Sequence, residues 1–154
     1  MHTFPYVVNL NYILNDRGEV LLQKKARGFG KGNWNGPGGK LKPGEDPAES
    51  AKREVLEETG IVIKNLEQRG EIEFIFPDES INNYLYVFVV KEWEGAPEDK
   101  GEGELKWFKI NELPLAEMWD DDRYWLKRLL SGEKIHTRFY FDKKNKISKF
   151  EELD

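Results

Sequence analysis

Three carboxylates fall close together in the segment Arg53-Glu54-Val55-Leu56-Glu57-Glu58-Thr59-Gly60. On a helix, residues three and four apart share a face, so Glu54, Glu57 and Glu58 crowd together while Val55 turns toward a core. Like charges at that spacing repel. A cation among the oxygens relieves the repulsion, and hard oxygen ligands without Cys or His point to Mg²⁺, with Mn²⁺ as a substitute. A bare run of this kind is more often a solvated acidic face balanced by Arg53, and spacing alone does not choose between the two.

The carboxylates need a helix, and its ends are marked. Asp46 before Pro47 is suited to an N-cap and first turn, and Gly60 to a C-terminal residue of positive φ, which predicts a helix over about 47–59. Ala48, Ala51 and Val55 form its core-facing stripe. Ahead of it, 28–44 holds seven glycines and two prolines and is read as one long shaped loop. The runs 6–14 and 19–25 around Asn15-Asp16-Arg17-Gly18 predict a hairpin. Further strands are expected at 61–63, 71–76, 84–92 and 105–110, with 84–92 central because it is apolar on both faces. A polar loop is expected over 95–103. A second helix is expected from about Asp121 to Leu130, with Leu126, Leu129 and Leu130 on its buried face, and a last hairpin over 134–153. Mixed strands with two helices make an α/β (α+β) layered domain whose sheet is covered on both faces.

The chain has 154 residues, enough for one core, so residues 1–154 are expected to form a single domain. With 24 Lys+Arg against 29 Asp+Glu the net charge is −5, which disfavours polymeric nucleic acid, since affinity for a polymer comes from clustered cations. A small anion remains open, met by Lys24, Lys25, Arg27, Lys31, Lys40 and Lys42 or by a metal on carboxylates. The longest apolar run, Tyr84 to Val90, is far short of the roughly 20 residues of a membrane span. The start, MHTFPYVV, lacks an export pattern. There is no Cys, which excludes disulfides and thiol nucleophiles. A cytoplasmic, monomeric protein with no membrane partner is expected.

Read from the loop into the helix, the pattern is Gly39, five residues, Glu45, seven residues, then Arg53-Glu54-Val55-Leu56-Glu57-Glu58-Thr59-Gly60-Ile61. This resembles the box of the Nudix hydrolases at every specified position, a match with a chance on the order of 10⁻⁵ to 10⁻⁶ given ordinary residue usage. The resemblance implies a Nudix α/β/α sandwich with a mixed central sheet. It also implies hydrolysis of a nucleoside diphosphate linked to another group. By position, it implies that Glu54, Glu57 and Glu58 carry metal with the Gly39 carbonyl as a further ligand. Arg53 would orient the carboxylates, and Glu45 would support them.

Three more segments, 24–40, 105–108 and 118–125, are similar to the MutT-type oxidised-purine nucleoside triphosphatases of animals. That resemblance implies a base pocket of Asn35, Trp119, Asp121 and Asp122, lined by Asn9, Phe29 and Phe74, and the substrate class of 8-oxo-dGTP and 2-hydroxy-dATP. Water would attack the β-phosphorus in line and release the monophosphate and pyrophosphate. It also offers Glu102 as metal ligand or general base, and Lys25 as a phosphate contact. Each has a bland alternative: a structural amide for Asn9, a helix-dipole role for the Asp pair, a solvated charge for Glu102 and Lys25. If both Asp residues meet one base edge, burial and repulsion keep one protonated, a donor beside an acceptor. The chain departs from that group with Asp120 in place of Pro, and Asn83 and Gly103 in place of Met. Two other readings stay open: a Nudix hydrolase of a dinucleoside polyphosphate or nucleotide sugar, and a nucleotide-binding module without catalysis.

Overall fold

In strand β1 (Tyr6–Leu14), Val8, Leu10 and Tyr12 alternate with Asn9, Asn11 and Ile13, and this alternation gives the sheet two unlike faces. The computed structural model describes all residues from Met1 to Asp154. After β1 come β2 (Glu19–Lys25), β3 (Trp34–Asn35), β4 (Gly38–Lys40), helix α1 (Pro47–Thr59), β5 (Val62–Ile75), β6 (Asn83–Glu94), β7 (Gly103–Lys109), helix α2 (Asp122–Leu130), β8 (Ile135–Phe141) and β9 (Ile147–Glu152). They build a mixed sheet in the order β3-β2-β1-β6-β5-β8-β9, with β4 paired to β1 and β7 to β2. The β1–β6 and β5–β8 pairs are parallel.

One feature of the pairing makes room for a site. Strand β1 pairs with β2 at Ile13 and Leu14, while nearer its start Val8, Asn9 and Leu10 pair with β4. The sheet therefore splits, and β2 departs with β3 and β7 as β4 takes its place beside β1.

Helix α1 starts where Asp46 Oδ2 accepts from the N–H groups of Ala48 and Glu49 at 3.0 and 3.1 Å. It stops at Gly60, whose φ of 78° places its N–H on the Leu56 carbonyl at 3.0 Å. Val55, fully buried, joins Ile13, Leu21, Ile61, Ile63 and Val90 in a core between α1 and one sheet face. On the other face α2 seats Trp125, Leu126 and Leu129 in the larger core with Leu10, Tyr12 and Leu22. Each such side chain contributes about 1.5–3 kcal/mol by leaving water. One helix thus covers each face, as the layered reading requires.

Three segments differ from expectation. The glycine-rich stretch 28–44 contains β3 and β4, because Trp34 is buried in the larger core and Gly38 and Gly39 sit close enough to β1 to pair. The strands expected at 61–63 and 71–76 are one strand, β5, whose register shifts between Ile63 and Asn65, Asn65 and Leu66, and Gln68 and Gly70 mask its alternation. Strand β7 starts at Gly103, inside the expected polar loop. On α1, Ala51 and Val55 are buried but Ala48 is only half-buried. No helix is long and apolar enough to cross a membrane.

Candidate active site

The loop ahead of α1 and the acidic face of α1 meet at Gly38 and Gly39. The Gly38 N–H donates to Glu58 Oε1 at 3.3 Å. A Cβ at Gly39 would stand 2.8 Å from the Glu54 carboxyl carbon, so a side chain there would displace the Glu54 carboxylate. Arg53 ties the face together. Its guanidinium donates to both Glu45 oxygens at 2.8 and 3.0 Å, to Glu54 at 3.1 Å and to Glu57 at 3.3 Å. Arg53 and the Lys42 N–H, which donates to Glu45 at 2.9 Å, hold the Glu45 carboxyl down at about 2.

The carboxylates are not equivalent. Glu58 is buried and hydrogen-bonded to Glu54, and burial, that bond and the charges of Glu54 and Glu102 push its carboxyl up to about 8. Glu102 lies on the exposed rim, held by its carbonyl on the Ala26 N–H at 3.1 Å. Glu57 is 56% exposed and faces Arg53 rather than Glu58. No three acidic or His side chains stand converged as a ready cation cage. The donor set nonetheless fits a divalent metal. Repulsion concentrated at Glu58 is what a hard cation would discharge, and Glu54 and Glu58 can hold it with Gly39, Glu57 joining by leaving Arg53.

A cavity opens beside these glycines, in the split of the sheet. It runs from Gly38 and Gly39 past Lys25, Gln23 and Asn35 to Trp119, Asp121 and Asp122, with Phe29 and Phe74 in its wall. Phe29 and Trp119 face each other with ring centroids 4.8 Å apart. Gly30, at φ 84°, passes under Trp119, where a Cβ would stand 2.9 Å from the indole nitrogen. Asn35 Oδ1 accepts from the Tyr12 hydroxyl at 3.2 Å and the Gly36 N–H at 2.9 Å, which leaves its Nδ2 as a donor toward the cavity.

Asp121 and Asp122 are both buried at the start of α2, and Asp121 makes no capping bond. Asp121 Oδ2 instead accepts from the Trp125 indole at 2.7 Å, and its Oδ1 has no partner. Burial pushes the Asp121 carboxyl up to about 7, and burial and the Asp121 charge push Asp122 well above its ordinary range. The pair therefore offers one protonated and one ionisable carboxyl, a switchable donor and acceptor for a flat heterocycle.

The residues expected at the base end, Asn9, Phe29, Asn35, Phe74, Trp119, Asp121 and Asp122, all line this cavity. Asn9 also carries structural bonds: its amide donates to Ser50 Oγ at 2.7 Å on α1 and accepts from Asn11 at 2.8 Å. Gly103 does not line the cavity; at φ 152° a Cβ there would stand 1.9 Å from the Lys24 carbonyl. Asn83 lines it and donates to the Ile81 carbonyl at 2.8 Å. Asp120 accepts from the Ile147 N–H at 2.8 Å and from Arg123 at 2.9 Å, pinning the start of α2 to β9. Two residues went unread. Ser50 gives no signal in a helix, and Gln23 shows only as a lone amide ending the apolar run Val20-Leu21-Leu22.

Comparison with known proteins matches residues 4–129 to the NUDIX domain. The chain is 39% identical over 124 residues to an oxidized purine nucleoside triphosphate hydrolase of Danio rerio, covering 80% of each chain. It is 38% identical over 128 residues to the protein of that name in Mus musculus, covering 83% of this chain and 82% of the relative. The crystal structure of a mutator MutT protein from Bacillus halodurans superposes with a TM-score of 0.83 at 30% identity, covering 95% of this chain and 96% of that one.

Proposed function

The chain belongs to the NUDIX family, and from that premise we propose that it hydrolyses oxidised purine nucleoside triphosphates, of the 8-oxo-dGTP and 2-hydroxy-dATP kind, to the monophosphate and pyrophosphate. The observation that carries the reading is the meeting at Gly38 and Gly39 of a cavity ending in an aromatic pair and two buried Asp residues with a helix of crowded carboxylates. A purine needs a π surface and hydrogen-bonding edges, a polyphosphate needs its charge met, and the two ends of this site offer them in one line.

In this reading Trp119, backed by Phe29, takes one face of the base, and Asn35, Asp121 and Asp122 its edge. Phe74 closes the cavity floor, and Lys25 meets the phosphates at the rim. Glu54, Glu57 and Glu58, with the Gly39 carbonyl, would hold the cation. Arg53, fixed by Glu45, keeps Glu54 aimed at it and releases Glu57 to it. Bound there, Mg²⁺, or Mn²⁺ in its place, neutralises charge on the phosphate oxygens and lowers the pKa of water. Glu102, exposed beside Lys25 on the β7 side, takes the proton from the attacking water in this reading. The functional unit is a single domain over 1–154, acting as a monomer on a small nucleotide in the cytoplasm, a setting that the cysteine-free sequence fits.

A panel of modified and normal nucleoside triphosphates, with a dinucleoside polyphosphate and a nucleotide sugar, tests this by pyrophosphate release with and without Mg²⁺. Preferred, Mg²⁺-dependent release from 8-oxo-dGTP or 2-hydroxy-dATP is expected. Turnover confined to the dinucleoside polyphosphate or the nucleotide sugar would overturn the substrate assignment.

A further inference from the structure

Two atoms in the wall of the purine cavity are buried and have no hydrogen-bond partner, Gln23 Nε2 and Asp121 Oδ1. Leaving a buried donor unpaired costs about 1–3 kcal/mol, so a chain retains one where something else supplies the acceptor. Asp121 already has a place in the base pocket. Gln23 has none, and at 9% exposure its amide is not a surface group.

The order of groups along the wall says what Gln23 would meet. Tyr12 feels the charges of Asp122 and Asp121 and donates to Asn35. Asn35 stands opposite Gln23 in the β2–β3 register, which puts the two on one face, and Lys25 follows two residues on along β2. The wall thus runs from the Asp pair through Asn35 and Gln23 to Lys25 and the rim. A purine with its six-membered ring on the Asp pair turns its five-membered ring toward Gln23, and sugar and phosphates continue toward Lys25 and Gly39. In an unmodified purine C8 bears a hydrogen and accepts nothing. In an 8-oxo purine it bears a carbonyl.

We infer that Gln23 Nε2 donates to the C8 carbonyl of an 8-oxo purine, which makes Gln23 a specificity-determining residue for 8-oxo purines over purines that lack that carbonyl. The inference rests on the oxidised-purine reading above and adds the residue that senses the lesion itself. A site built to hydrogen-bond a substrate group disfavours the analogue lacking it, because its own polar atom then stays unpaired. The competing role is structural. Asn11 Oδ1, on the adjoining strand, is also buried without a partner, and Gln23 could serve only to fill the space beside it.

The test compares kcat/KM of wild type, Gln23→Leu and Gln23→Glu on 8-oxo-dGTP, dGTP and 2-hydroxy-dATP, with melting temperatures alongside. The last two substrates lack the C8 carbonyl. Gln23→Leu is expected to lower kcat/KM for 8-oxo-dGTP about 10-fold and to change the others less than about twofold. Gln23→Glu, which keeps the shape but replaces the donor by an acceptor, is expected to lose at least as much on 8-oxo-dGTP alone, and it carries the test should the Leu variant fail to fold. Equal losses on all three substrates, or a lower melting temperature with unchanged substrate ratios, would overturn the inference while leaving the function intact. Wild-type turnover of 2-hydroxy-dATP without turnover of 8-oxo-dGTP would overturn the inference alone, and turnover of neither would overturn both.

Discussion

The Glu54 carboxylate lies so close to the α-carbon of Gly39 that a Cβ there would stand 2.8 Å from its carboxyl carbon. Its φ is not positive, so what the glycine provides is room for that carboxylate. It is also what lets the cavity loop rest on the acidic helix. Gly39→Ala should push Glu54 out of line and lower kcat by about 10-fold or more, with the melting temperature shifted by only a few degrees. Unchanged kcat would show that Glu54 does not need this position.

Asn9 and Ser50 join β1 to α1 at 2.7 Å, four residues before Glu54 on the helix. Asn9→Ala strips partners from Ser50 and Asn11 and should cost about 1–3 kcal/mol of stability. The ratio of activities on different bases should not move. Denaturant unfolding and a two-substrate assay check this; a changed ratio with unchanged stability would make Asn9 a base contact.

The Asp pair makes stability depend on pH. Because burial raises both carboxyls above their unfolded values, their contribution is fully present below about pH 4 and is lost as pH rises through about 7. Between pH 5 and 8 the nucleotide-free wild type should therefore lose on the order of 5 °C more in melting temperature than the Asp121→Asn, Asp122→Asn double variant. Glu58 titrates in the same direction in both proteins and cancels in the comparison. The variant should also discriminate less among bases. Parallel melting curves against pH would contradict the assignment.

Asp120 holds the Ile147 N–H at 2.8 Å and Arg123 at 2.9 Å, so the turn that carries Trp119 and Asp121 is anchored on β9. Asp120→Pro removes both bonds. A loss of about 1–2 kcal/mol and a raised KM with kcat little changed are expected. If KM stayed put, the anchor would be dispensable for the base pocket.

What could be read from the sequence followed the range of the interactions. The α1 boundaries are local, written in Asp46, Pro47 and Gly60, and the acidic face follows from helix periodicity. Strand β3 escaped because Trp34-Asn35 is too short a run to mark a strand and its pairing is with distant β2, and β4 because glycine carries no strand preference and its partner is β1. Strand β5 escaped because its bulges break the alternation that marks a strand. In the site, the carboxylates and the Asp pair were legible through spacing and resemblance. Gln23 was not, since only the split between β1 and β2 turns an isolated strand amide into a cavity wall. Nor could spacing tell that Glu57 faces Arg53 while Glu58 is buried against Glu54.

Pyrophosphate release from 8-oxo-dGTP, followed against Mg²⁺ concentration for wild type and Glu58→Gln, bears most directly on whether the acidic helix drives the chemistry. Wild-type turnover should vanish on chelation and return with Mg²⁺, and Glu58→Gln should fall by on the order of 10²-fold or more while melting as a folded protein. Near-normal turnover by Glu58→Gln, or wild-type turnover that survives chelation, would contradict it.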